Sequence, residues 1–66
     1  MAQSERDRLI SVRDTAAILG CGVATVWRKT SEGSIPQPVK IGGLTRWSEA
    51  ELSNFIENAK QAREAA

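Results

Sequence analysis

Ala24, Thr25, Arg28 and Lys29 lie close together in the chain and combine small side chains, a hydroxyl, a guanidinium and an ammonium. On a helix, Arg28 stands one turn beyond Ala24 and Thr25. Small residues let another surface come close. Arginine offers a planar fork that matches guanine bidentately, whereas lysine is a compact charge suited to phosphate. A second group follows at Lys40, Gly42, Gly43 and Arg46, two cations around a glycine pair that allows close backbone approach. Both groups have the chemistry of polyanion recognition, and the first is what a helix offers to the DNA major groove. Catalytic chemistry is not expected. There is no histidine and no phosphate-cradling loop, and Glu49 and Glu51 are spaced too closely to share a helix face. A single cysteine without histidine makes neither an internal disulfide nor a zinc site. The chain is therefore read as a non-enzyme with no metal and no cofactor.

The elements that must position these groups can be read in order. Ser11 is a helix N-cap with Asp14 three residues on. Val12, Thr15, Ala16 and Leu19 then keep the spacing of one helix face, so a helix is expected over 12–19. Gly20 ends it and Cys21-Gly22 complete a tight turn. A second helix is expected over 23–31, with Val26 packing against Ala16 and Leu19. Ala24, Thr25, Arg28 and Lys29 are then left outward, opposite Val26. The unpaired amides at its start suit a phosphate. Trp27 is at helical spacing from Val23 and is expected in the core or at its boundary, with a phosphate-contacting indole as the other reading.

Ile35-Pro36-Gln37-Pro38 excludes helix. Two short apolar runs around Gly42-Gly43 then read as a hairpin. Alternation along each run puts Val39 and Ile41 opposite Lys40, and Thr45 and Trp47 opposite Arg46, which suggests one apolar face and one cationic face carrying Lys40 and Arg46. Ser48 with Glu51 is a capping signal for a last helix, whose apolar stripe is Leu52, Phe55, Ile56 and Ala59. The fold class expected is mostly α with a small β-hairpin: a winged helix-turn-helix of helix, turn, helix, two-stranded wing and C-terminal helix. Residues 1–8 are expected to be a flexible arm, 9–60 the domain, and 61–66 a frayed tail.

With 66 residues the chain has room for one small core. Its net charge of +1 is unevenly spread. Residues 13–46 carry five cations against two carboxylates, net +3, and residues 47–66 carry two against four, net −2. A basic middle and an acidic tail fit a nucleic-acid face in the middle. No apolar run approaches the roughly 20 residues of a membrane helix, and the opening residues lack a signal-peptide core. A cytoplasmic location without membrane contact is expected.

The ordered set of residues resembles the AlpA-like phage regulatory proteins and related small excisionases, which share a MerR-like winged-helix DNA-binding domain. The resemblance is carried by Leu9-Ile10-Ser11, Ala16, Leu19-Gly20, Thr25-Val26-Trp27-Arg28, Gly33 to Pro38, Lys40, Gly42, Gly43, Arg46-Trp47, and Ser48 to Ile56. Cys21-Gly22 departs from the family's usual Val-Ser and removes a serine cap from the second helix. Val23-Ala24 replaces positions where an arginine or serine is frequent, and Thr15 stands where valine is usual. The resemblance implies sequence-specific binding of double-stranded DNA. Its bearer would be an excisionase (a recombination directionality factor) or a transcriptional regulator of a prophage or mobile element. An integrase and further copies of the chain on DNA are the other partners considered. The alternative is a protein-interaction module, an antirepressor or adaptor, that uses the same fold without DNA.

Overall fold

A computed structural model describes residues 7–65. It contains strand β1 (Leu9–Ile10), helices α1 (Val12–Leu19) and α2 (Val23–Glu32), strands β2 (Val39–Ile41) and β3 (Leu44–Ser48), and helix α3 (Glu49–Ala65). This is the winged helix-turn-helix expected.

α1 occupies the expected residues. The Ser11 hydroxyl accepts from the Asp14 amide at 3.1 Å, and Gly20 closes the helix in the left-handed conformation. Thr15 is fully buried at a position suited to an apolar side chain. Its hydroxyl donates to the Ser11 carbonyl at 2.9 Å, which removes the cost of burying it. α2 starts at Gly22, which has extended backbone geometry and offers no side-chain cap. Gly33 ends it, one residue beyond the expected stop.

The sheet corrects the two-stranded wing. Leu9-Ile10, read as a lead-in to the first helix, forms a third strand, and the order is β1-β3-β2 with antiparallel pairing throughout. Ile10 pairs with Trp47 and is 4% exposed. The wing is thereby stitched to the start of α1 instead of projecting alone.

The core consists of Ile10, Ala16, Val26, Ile35, Trp47 and Leu52, with Val12, Leu19, Cys21 and Phe55 packed at its edge. One layer is the α1–α2 pair, with Ala16 small enough for close approach. β3 and α3 close the other side through Trp47 and Leu52, both fully buried. No helix among the described residues is long and apolar enough to cross a membrane.

The start of α3 is fastened more firmly than its local sequence signals. The Ser48 hydroxyl accepts from the Glu51 amide at 3.1 Å, as the Ser-x-x-Glu pattern suggests. The Arg8 carbonyl accepts from the Glu49 amide at 2.8 Å. The Asp7 carboxylate accepts from the Ala50 amide at 3.0 Å and from the Ser48 hydroxyl at 2.6 Å. Asp7 and Arg8 therefore belong to the folded unit and not to a free arm; the rest of the proposed arm lies outside the described residues. At the other end, α3 extends to Ala65.

Candidate nucleic-acid interface

Burial of Val26 sets the rotation of α2. With 100° between successive residues, the direction opposite Val26 is shared by Ala24, Arg28 and Ser31, all exposed. Thr25 and Lys29 are half-buried and occupy one flank. They line a cavity of about 270 Å³ with Leu19, Cys21, Ile35 and Phe55 among its walls. The outward face thus unites Ala24 with Arg28. Thr25 and Lys29 border it and do not lie at its centre, which corrects the expected placement of both opposite Val26. The other flank carries Trp27, 43% exposed.

Arg28 is exposed, and its Nε stands 3.9 Å from Glu32 Oε2. An exposed ion pair one helical turn apart contributes only about 0.3–0.5 kcal/mol, so the guanidinium is held in place weakly and can be released to an anionic ligand. No acidic residue occupies the first turn of α2. Among the described residues, the positive end of its helix dipole is therefore neither capped by an N-cap side chain nor neutralised by a carboxylate of its own first turn.

Trp27 joins this helix to the wing. Its ring meets that of Trp47 edge-on, with centroids 5.4 Å apart and planes at 63°. Among the described residues Trp47 Nε1 is buried without a hydrogen-bond partner. Trp27 is a boundary residue, as one of the expected readings had it.

In the wing, Gly42 has φ 46° and Gly43 φ 87°. Two consecutive left-handed residues are what a two-residue hairpin turn of the matching twist requires, and residues with a Cβ adopt this poorly. Register then decides which side chains share a face. Val39 is opposite Arg46, Lys40 opposite Thr45, and Ile41 opposite Leu44. Residues directly opposite one another project to the same side. Lys40 therefore accompanies Thr45 and Trp47, while Arg46 accompanies Val39, Ile41 and Leu44. The expected face bearing both cations does not exist: the two lie on opposite sides of the ribbon. The two-residue Gly-Gly turn carried this information, because it forces Ile41 against Leu44 and hence Lys40 against Thr45. Arg46 is half-buried and its Nη1 donates to the Thr45 carbonyl at 2.9 Å, leaving its other donors available.

Trp27 borders the site, and Asp7 and the pairing of Leu9-Ile10 fasten the framework behind it; none of the three is in the expected set. Trp27 was visible as an aromatic on the helix. The other two act across the chain and leave no local trace.

A family model for a helix-turn-helix domain matches residues 9–60. No curated protein and no solved structure gives a significant match.

Proposed function

The chain belongs to the helix-turn-helix domain family, and from that premise we propose that it binds double-stranded DNA, with α2 in the major groove and the wing against the adjacent backbone. One observation carries the reading: Val26 is fully buried, so the small side chain of Ala24 and the fork of Arg28 are both turned outward. Arg28 reads a base, the bare start of α2 takes a phosphate, and Lys29 and Arg46 hold the backbone. The role is one of binding, without catalysis or cofactor, in the cytoplasm.

Within that reading the protein is an AlpA-like excisionase or transcriptional regulator of a prophage or mobile element, acting with an integrase or with further copies of itself on DNA. The test is selection of duplexes from a random pool, followed by titration of the enriched sequence across a range of salt. Enrichment of one motif, with log affinity falling linearly in log salt, supports the proposal. Weak, salt-insensitive retention with no motif would instead favour the adaptor reading.

A further inference from the structure

The cavity beside α2 is larger than a packing gap. Leu19 ends α1, Ile35 follows α2 and Phe55 belongs to α3, and the three give it apolar walls. Its volume is about 270 Å³. Interiors leave few voids larger than a water molecule, and small-molecule pockets begin near this size. At the roughly 30 Å³ that a water-sized group takes up in a liquid, the cavity has room for about nine such groups.

The polar groups decide what kind of molecule fits. Thr25 and Lys29 stand one helical turn apart on α2, and both are half-buried. Among the described residues, no hydrogen bond or ion pair engages the Thr25 hydroxyl or the Lys29 ammonium. Ser34 also lines the cavity, but its hydroxyl donates to Glu32 Oε1 at 3.2 Å, and Glu32 Oε2 stands near Arg28. No carboxylate is part of the lining. An apolar chamber with one cation and one hydroxyl donor is complementary to an apolar body with a single anionic head. The two donors match the two oxygens of a carboxylate.

We infer that this cavity binds a small amphipathic carboxylate with an apolar body of about eight carbons, and that its occupation takes Lys29 away from DNA. The competition rests on the DNA-binding reading above. The carboxylate site does not.

The experiment adds octanoate or 4-phenylbutyrate to the full chain, with octan-1-ol and octylamine for comparison. Cys21 lines the same cavity and is the single cysteine of the chain, so its alkylation by iodoacetamide reports occupancy. At least one carboxylate should slow alkylation saturably, by about fivefold or more, at millimolar concentration or below. The alcohol and the amine should need about tenfold more. Lys29→Gln should weaken the carboxylate about tenfold, and Lys29→Arg should restore most of it. Thr25→Val, which keeps the shape and removes the hydroxyl, is the second variant and should weaken it about threefold. A thermal melt of each variant separates a lost site from a lost fold. On a duplex selected by the full chain, the saturating carboxylate should weaken binding and lower the salt slope by about one, and acetate at equal ionic strength should not. No slowing by either carboxylate overturns the site. Equal slowing by all four compounds, or by a carboxylate on wild type and on folded Lys29→Gln, overturns it as well. Slowed alkylation with unchanged duplex affinity overturns the competition. A chain that binds no duplex but shows the carboxylate effect overturns the DNA-binding reading and leaves the site standing.

Discussion

The starts of α2 and α3 make opposite use of the same backbone chemistry. Every helix opens with amides that lack an intrahelical partner. At α3 the amides of Glu49, Ala50 and Glu51 are taken in turn by the Arg8 carbonyl, the Asp7 carboxylate and the Ser48 hydroxyl. At α2 the cap is Gly22, with no side-chain acceptor and no acidic residue in the first turn. The first end is finished by the protein itself. The second is left with an unspent positive dipole beside Ala24 and Arg28. The difference separates a helix start that holds the fold together from one available to an external anion, and each can be tested against the other.

The largest expected effect is at the residue that ties the two regions together. Trp47 precedes the α3 cap, is fully buried, and meets Trp27 of α2. Trp47→Ala should cost roughly 3–5 kcal/mol, a large share of the stability that small domains ordinarily have. Circular dichroism should show lost or greatly lowered cooperative melting; a melt close to wild type would show that the two helix starts do not depend on this joint.

Arg28→Ala should separate binding from stability at α2. The selected site is expected to lose about 1–3 kcal/mol of affinity, with relaxed preference at one base pair, while the melting temperature stays near wild type. Equal losses on selected and random duplex would make Arg28 a phosphate contact and shift sequence reading to the wing or to DNA shape.

The α3 start should respond to acid. The Ser48 hydroxyl and then the Ala50 amide donate to Asp7 and hold its pKa below the ordinary 3.8. A carboxylate lowered in the native state adds stability above its unfolded pKa, and this is lost as pH falls through the native value. Asp7→Asn should therefore lower the melting temperature at neutral pH and flatten its decline between about pH 5 and the acid limit. An unchanged acid profile would mean that the distant cap contributes nothing to folding, and that the local Ser48 cap suffices.

The smallest effect sharpens the comparison most. Gly22 has an extended conformation, and a Cβ there meets nothing within 4 Å. Gly22→Ser should add the missing cap and stabilise the fold by a few tenths of a kcal/mol. If the bare amides serve a phosphate, the same change should weaken DNA binding while raising the melting temperature. A rise in both would show that this end of α2 stands clear of the DNA.

The sequence by itself determined the three helices, the hairpin and most of their ends, though not the strand at Leu9–Ile10. Ser11, Gly20, Gly22, Gly33 and Ser48 act on amides and carbonyls within five residues of themselves, so α1, the turn and the start of α3 are written in local spacing. Burial of Val26 and Trp47 follows from apolar periodicity in the same way. Ala24 and Arg28 are outward for that reason too. Tertiary structure alone decided what depends on distant partners. Pairing of Ile10 with Trp47 and capping of Ala50 by Asp7 join residues about forty positions apart, and no neighbouring residue records such a meeting. Helical rotation from Val26 already puts Thr25 and Lys29 on a flank, but their partial burial comes from the cavity that Ile35 and Phe55, from later elements, wall beside them. Helical periodicity fixes angles within one helix, but only packing against other elements decides how much of each angle remains open to a ligand.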